Sequence, residues 1–436
     1  MDSFHVGIFS LVLLLFLLFL RFHVGVALSL AGFIGIAMIR GTRSALNALG
    51  QLPYEFLASW TLSAVPLFIL LGAVAHHGGL TGSLYAAARN WLSFLPGNLA
   101  IATNTAGAGF AAVSGSSLAS AAAIGRMAIP EMLAAGYNPG LATAVVAASG
   151  TLGSLIPPSI LLIVYGMFTE QPIGKLLLAG FIPGLLTWFV YNVMIVLRCT
   201  ISPELSPNPL VAISWTDRWR TLYSVWPVPV LFLSVVATIY AGIATATEAA
   251  AIGAIVAYLI VILKGRMTKA IFVESLKETV VMTASIFFIA MGAVLLSRLL
   301  LFSGIPAWLV SMVNAQTTSL YVFMMYMAVL YLILGMFLDP IGLMLITLPV
   351  LFPLFKAMDI NLIWMGIIVI KFLEISLLTP PVGLNVYVVK NVIGDRVRLE
   401  TIFKGVVWFL LAEVVIVYLL IRFPEISLWL PERSEV

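Results

Sequence analysis

The apolar residues of this chain fall in long blocks separated by short polar clusters. Residues 4–20 and 24–39 are the first two blocks, closed by Arg21 and Arg40, whose long side chains can reach the membrane surface. Residues 41–59 are more polar and read as interfacial. Trp60–Ala75 is apolar and ends in His76-His77-Gly78-Gly79, and residues 80–95, with Tyr85, Arg89 and Trp91, again read as interfacial. Leu176–Leu197 reads as a span. The longest polar stretch, Arg198–Ser224, carries Pro203, Pro207, Pro209 and the arginines Arg198, Arg218 and Arg220. Two spans, 226–243 and 247–263, return to Lys264, Arg266 and Lys269, and 270–278 is expected as a short surface helix. Val280–Val389 is mainly apolar, Lys390–Lys404 is charged, and 406–421 is the last span. The blocks predict eight to twelve membrane segments, with half-spanning hairpins making the count ambiguous.

The run from Ala106 to Gly166 fits neither a soluble loop nor a simple span. It is apolar, yet Gly107, Gly109 and Ser114-Gly115-Ser116-Ser117 interrupt it early, and Gly150, Thr151, Gly153, Pro157 and Pro158 interrupt it again. An unpaired backbone group at membrane depth costs several kcal/mol, so such breaks persist only where they face protein, water or a ligand. Two breaks close together therefore predict a binding site built from exposed backbone.

Composition sharpens this picture. The 436 residues are 62% hydrophobic and 9% charged, against about 25% charged in soluble domains. A polytopic all-α membrane protein follows. The formal net charge of +4 sits mostly between spans, as loop charge that sets orientation and not as a nucleic-acid surface. Asp2 precedes the first block and Arg21 follows it, the reverse of a signal peptide's charge order. No cleaved leader is expected, and the N-terminus is placed outside the cytoplasm. The single cysteine, Cys199, excludes an intrachain disulfide and a cysteine-cluster metal site. His76 and His77 are adjacent and so do not face one ligand together on a helix; they read as interfacial polar residues at a helix end.

The second half echoes the first. Gly72-Ala73-Val74 has a counterpart in Gly292-Ala293-Val294, Ile129-Pro130 in Leu348-Pro349, and Ile156-Pro157-Pro158 in Thr379-Pro380-Pro381. Gly72 to Pro157 is 85 residues and Gly292 to Pro380 is 88; Pro130 to Pro157 is 27 and Pro349 to Pro380 is 31. A polar break precedes the first proline in each half, Ser114–Ser117 in one and Gly335 with Asp339-Pro340 in the other. Repeats broken at corresponding positions are a signature of secondary transporters with a midplane site.

Each repeat thus offers one hairpin-like break and one Pro-Pro break. Helix N-termini with free N–H groups favour anions, and unwound carbonyls favour small cations. A site for an anion and sodium ions follows without any buried formal charge. Small residues also allow close helix packing, which accounts for the flanking Ala119, Ala121, Ala122 and Ala123. Asp339 either accepts cation charge or caps a hairpin, and Asn385 either faces substrate or caps a frayed carbonyl. Lys371 and Glu374, three residues apart, are expected to pair with each other. Glu248 sits near a span start, where the helix dipole favours it, and Arg298 and Glu413 have no evident partner. Gly174-Lys175-Leu176 lacks P-loop spacing, and no serine-histidine or paired-carboxylate constellation marks an enzyme.

The stretches AGAGFAAVSGSSLASAAAIGRMAIPEM, GYNPGLATAVVAASGTLGSLIPPSILLIVYG, ATEAAAIGA, LGMFLDPIGLMLITLPVLFPL and LTPPVGLNVYVVK resemble the large membrane subunit of tripartite ATP-independent periplasmic (TRAP) transporters. The resemblance implies sodium-driven import of an organic anion such as a dicarboxylate, sialic acid or another sugar acid. It implies two partners, a periplasmic substrate-binding protein and a small four-helix membrane subunit, in the bacterial inner membrane. It also implies an elevator fold with two inverted repeats, each holding a re-entrant hairpin and a helix broken at Pro-Pro. Carried onto this chain, sodium would be held around Ser114, Gly115, Ser116, Gly153, Ile156 and Pro157, and around Gly335, Ser376, Thr379 and Val382. Ser117, Thr151, Asp339 and Asn385 would face the organic anion. No cofactor beyond the coupling sodium ions is expected. The expected division is 1–60 scaffold spans, 61–197 first repeat, 198–278 connector and scaffold spans, 279–390 second repeat, and 391–436 C-terminal span and tail. A stand-alone sodium/carboxylate symporter, an ion channel and a membrane scaffold are the rival readings.

Overall fold

A computed structural model describes residues 2–207, 213–315 and 319–434, so Pro209 of the polar connector lies outside the described residues. The chain is helical throughout these segments. The helices are α1 (Ser3–Phe19), α2 (Val24–Arg40), α3 (Thr42–Leu57), α4 (Ala64–His77), α5 (Gly82–Trp91), α6 (Asn98–Ser114), α7 (Ser117–Ala134), α8 (Pro139–Gly150), α9 (Ile160–Thr169) and α10 (Ile173–Ile201). There follow α11 (Trp215–Ser224), α12 (Pro227–Tyr240), α13 (Ala246–Leu263), α14 (Lys269–Ser303), α15 (Ile305–Ala315), α16 (Leu320–Gly335), α17 (Pro340–Ala357), α18 (Leu362–Ser376), α19 (Leu384–Ile393) and α20 (Leu399–Arg422). Among the described residues six helices are long and apolar enough to cross a membrane, and α11 with α12, bent by 46°, makes a seventh such unit. The surface helix expected over 270–278 is instead the first part of the continuous 35-residue α14. No Gly or Pro interrupts 270–285, so nothing in the backbone stops the helix at the membrane surface. Large apolar side chains face outward along the spans, among them Leu259, Ile262, Val280, Tyr326 and Tyr418, as contact with lipid requires.

The helix caps fix the register of the repeat. Ser116 caps α7 and Asp339 caps α17; Asn138 caps α8 and Asn361 caps α18. Each pair is 223 positions apart (116 to 339, 138 to 361), and so are the Pro-Pro breaks (157 to 380). At this offset Pro130 corresponds to Pro353, not to Pro349 as the residue patterns suggested. Both prolines lie inside α17, four residues apart and so about one helical turn. Pattern alone cannot separate them; distance from the cap does. Both Pro-Pro bonds are cis.

The two repeats run in opposite directions. α8 starts beside α20, where Gly140 packs on Thr401, and ends beside α19, whose Asn385 Nδ2 donates to the Ala147 carbonyl at 3.1 Å. α19 then runs along α7, away from the tip of the first hairpin, until Val392 lies near Gly125. α18 starts where Tyr165 of α9 donates to the Leu362 carbonyl at 2.8 Å, and ends at the tip of the first hairpin, where Ser117 donates to Glu374 at 2.8 Å. The path α8–α9 therefore crosses from one side to the other while α18–α19 crosses back. Each broken helix packs against the opposite repeat, α9 on α17 and α18, and α19 on α7 and α8.

Candidate functional site

The first hairpin turns at Gly115, whose φ of +63° ends α6 in the left-handed region. Ser116 follows in extended conformation and accepts the Ala119 N–H on its side chain, opening α7. The tip is pressed onto the first Pro-Pro break. A Cβ on Gly115 would lie 2.4 Å from the Pro158 carbonyl oxygen, and one on Gly153 would lie 2.9 Å from the Ser116 backbone. Glycine is therefore required by close backbone approach at both points, and by φ at the first. α8 tightens into one 3-10 turn, Thr151–Ser154, before the break, and Ser159 caps α9 while donating to the Ser154 carbonyl at 2.5 Å. Among the described residues no hydrogen bond reaches the carbonyl oxygens of Leu155, Ile156, Pro157 or Pro158.

The second break repeats the plan with different residues. α16 ends at Gly335, which packs on Ser376: a Cβ there would lie 2.1 Å from Ser376 Oγ. Asp339 accepts the Gly342 N–H at 2.9 Å and Pro340 sits at the first helical position of α17, so the hairpin-capping role left open for Asp339 is made. Thr379 Oγ1 donates to the Ile375 carbonyl at 2.8 Å and the Asn385 N–H to the Leu377 carbonyl at 3.1 Å. The carbonyls of Leu378, Thr379, Pro380, Pro381 and Val382 receive no hydrogen bond among the described residues.

The two tips meet over one cavity of about 120 Å³. Gly115, Ser116, Ser117 and Ser154 line it from the first repeat, Asp339 and Leu377 from the second. Of the residues expected to face substrate, Ser117 and Asp339 lie on this cavity. Thr151 is buried and donates to the Ala148 carbonyl at 2.7 Å, and Asn385 is buried against α8; both stand behind the cavity. Ser114 faces a neighbouring space of about 30 Å³ that also touches Gly72, His76 and Glu278 of the surrounding helices. The Ile156 side chain packs into an apolar cluster with Ala111, Ala112 and Leu152, so only its backbone can serve a ligand. Among the described residues no three His, Cys, Asp or Glu side chains gather as metal ligands. Carbonyls and hydroxyls are the donors present at the breaks, a set suited to a hard, singly charged cation. A larger cavity of about 760 Å³, with Arg89, Glu131, Asp217 and Arg220 in its wall, contains none of the break residues.

The charges pair differently from expectation. Lys371 does not bind Glu374; its Nζ lies 2.5 Å from Glu413 Oε2, an ionic contact off the hydrogen-bond direction, and donates to Thr187 at 3.3 Å. Glu413 Oε1 accepts from Tyr191 at 2.5 Å, so this buried cluster ties α10, α18 and α20 together. Glu374 turns to Ser117, which lies 2.6 Å from Ser154. Tyr191, Thr187 and Ser154 were missed, and Glu413 was noted without a partner, because the residues they meet lie far along the chain; an intramembrane glutamate was the available signal. His77, at the end of α4, meets Glu278 of α14 at 2.7 Å. Arg298 lies over the Phe302 ring, 5.3 Å from its centroid, and Glu248 completes a capping box with Thr245 at the start of α13.

Known proteins share this architecture. The chain is similar to the large permease protein DctM of a C4-dicarboxylate TRAP transporter from Pseudomonas aeruginosa, with 35% identity over 87% of this chain and 88% of that one. It is similar to the large permease protein SiaM of a sialic acid TRAP transporter from Vibrio cholerae, with 31% identity over 95% of this chain and 96% of that one. The crystal structure of the Alcanivorax borkumensis YdaH transporter has the same fold, with a TM-score of 0.65 at 13% identity over 88% of this chain and 89% of that one. Residues 11–426 match the family model described as "Tripartite ATP-independent periplasmic transporter, DctM component". With both hairpins and both Pro-Pro breaks inside the matched region, this multi-pass membrane protein belongs to the DctM family of TRAP transporter large permeases.

Proposed function

We propose that this chain is the large membrane subunit of a sodium-driven, binding-protein-dependent importer of an organic anion, working by an elevator movement. The observation that carries the reading is the meeting of two hairpin tips, from oppositely directed repeats, over one cavity, with unbonded carbonyls at the Pro-Pro break of each repeat. Sodium enters as co-substrate, held at Ser114, Gly115, Ser116, Gly153, Ile156 and Pro157 in one repeat and at Gly335, Ser376, Thr379 and Val382 in the other. The anion lies between the tips, near Ser117 and Asp339, where α7 and α17 begin and free N–H groups point.

The hairpins and broken helices move as one body against residues 1–60 and 198–278. Arg266 donates to the Gly79 carbonyl at 2.9 Å, so the end of α4 lies with the Lys264–Lys269 charges. The first tip lies beside His76 at that same end. By the positive-inside rule that side is cytoplasmic, and the arrangement corresponds to an inward-facing state. The chain resides in the bacterial inner membrane with its N-terminus in the periplasm. Its partners are a small four-helix membrane subunit and a periplasmic protein that delivers the substrate. The named relatives carry C4-dicarboxylates and sialic acid, which defines the class of acids to screen.

The test is uptake of labelled organic acids into proteoliposomes holding this chain and its small subunit, with and without an inward sodium gradient and the binding protein. Uptake that needs both supports the reading. Sodium-dependent uptake without the binding protein favours a stand-alone symporter, and uptake indifferent to sodium removes the cation sites. Ser116→Leu and Thr379→Leu are each expected to abolish uptake with membrane expression intact; normal uptake in both rejects the assignment of the breaks.

A further inference from the structure

We propose that Glu374, Ser117 and Ser154 form an additional monovalent-cation site, separate from the two carbonyl-lined breaks. The inference rests on the sodium coupling proposed above.

Glu374 is fully buried on α18. Its Oε1 accepts from Ser117 Oγ at 2.8 Å, and Ser117 Oγ lies 2.6 Å from Ser154 Oγ. Its Oε2 has no hydrogen-bond partner among the described residues. The nearest cation along the helix, Lys371, is held by Glu413, so one positive and one negative charge cancel there. Glu374 is left as the carboxyl of the buried cluster that no cationic side chain pairs with among the described residues. A carboxylate in an apolar interior is strongly disfavoured and is neutralised by a proton or by a cation that joins it; the free Oε2 and the two hydroxyls beside Glu374 are ligands for the cation.

The repeat supports the assignment. At the 223-residue offset Glu374 corresponds to Thr151, a neutral residue whose hydroxyl is satisfied within its own helix by the Ala148 carbonyl. The packing of the repeat therefore does not require a carboxylate here. One carboxylate and two hydroxyls are hard oxygen donors, and a single positive charge balances the site where a divalent ion would overcharge it. Ser117 and Ser154 both line the cavity between the tips, which supplies the way in. Ser117 opens α7 of the first repeat and Glu374 lies on α18 of the second, so an ion here joins the first hairpin to the opposite repeat.

The experiment is radiolabelled sodium binding to the full chain in lipid nanodiscs, counting ions per chain for the native protein, Glu374→Gln and Ser154→Ala. Glu374→Gln is expected to bind one ion fewer. Ser154→Ala is expected to keep the count and weaken one site at least about tenfold, as loss of a ligand oxygen would. A folded Glu374→Gln chain with native count and affinity overturns the proposal. If Glu374→Gln does not fold, Ser154→Ala decides, and unchanged binding in it overturns the proposal. Native protein that binds no sodium defeats the coupling itself; native binding with an unaffected Glu374→Gln defeats this site alone.

Discussion

Gly335→Ala offers a test of the second break with a built-in rescue. The added Cβ would lie 2.3 Å from Ser376 Cβ and 2.1 Å from Ser376 Oγ, where apolar contacts normally sit near 3.5–4.0 Å. α16 and α18 must separate by about 1 Å or more, and overpacking of this kind costs roughly 1–3 kcal/mol. The first repeat already holds the relieved version: at the 223-residue offset, positions 335 and 376 correspond to Ala112 and Gly153. Gly335→Ala with Ser376→Gly rebuilds that combination. The double variant removes both clashing atoms but loses the Ser376 Oγ bond to the Leu373 carbonyl, 2.6 Å long, and adds a glycine at a helix end. It is expected to recover most of the loss, remaining about 1 kcal/mol below the native protein. The assay is the fraction of purified protein that stays monodisperse after graded heating in detergent, read for the native chain, both single variants and the double. Gly335→Ala indistinguishable from native refutes the close approach. A double variant whose loss equals the sum of the singles refutes the coupling, since contacting residues should not be additive.

The remaining predictions concern the buried charges and the caps. Lys371→Met should cost about 3–5 kcal/mol by leaving Glu413 unpaired, while Lys371→Met with Glu413→Leu should lose far less; equal heat sensitivity of the two would remove the pair as a structural unit. Tyr191→Phe should cost about 1.5–3 kcal/mol through the lost hydrogen bond to a charged group, visible in the same heating series, and should have no further effect once Glu413 is already Leu. Asp339→Ala should cost about 1 kcal/mol as a lost N-cap, whereas Asp339→Asn keeps the cap; if uptake also falls in Asp339→Asn, the carboxylate charge serves transport beyond capping. Gly115→Ala should abolish uptake, because a residue with a Cβ must hold a left-handed φ at a cost of about 1–2 kcal/mol and displace the Pro158 carbonyl; native uptake by this variant would place the turn elsewhere.

Much of the site was legible because breaks are a property of single residues. A Gly, a Pro or a run of serines interrupts an apolar helix wherever it occurs, so Ser114–Ser117, Gly150–Pro158 and Ser376–Gly383 could be located one by one. Side-chain partners were less legible. Three residues of helix put Lys371 and Glu374 on one face, yet Lys371 reaches Glu413 on α20 and Glu374 reaches Ser117 on α7. In a low-dielectric interior the stronger cross-helix contact wins over the weak pairing of helix neighbours. Thr151 and Asn385 show the same limit from the other side: both lie at the breaks, but their hydroxyl and amide are used by neighbouring carbonyls of α8.

The sequence by itself determined that the chain lives in a membrane, that it is a repeat, and where each repeat must break. These follow from hydropathy and from the backbone limits of glycine and proline, which act locally. Tertiary structure decided the exact register, with Pro353 and not Pro349 opposite Pro130, because helix caps count residues where composition does not. It decided that the repeats run in opposite directions and that each broken helix packs on the other repeat, which depends on which helix ends meet. It also decided which carboxylate meets a lysine and which meets only a hydroxyl among the described residues, because that choice is made by side chains reaching between helices far apart in the chain.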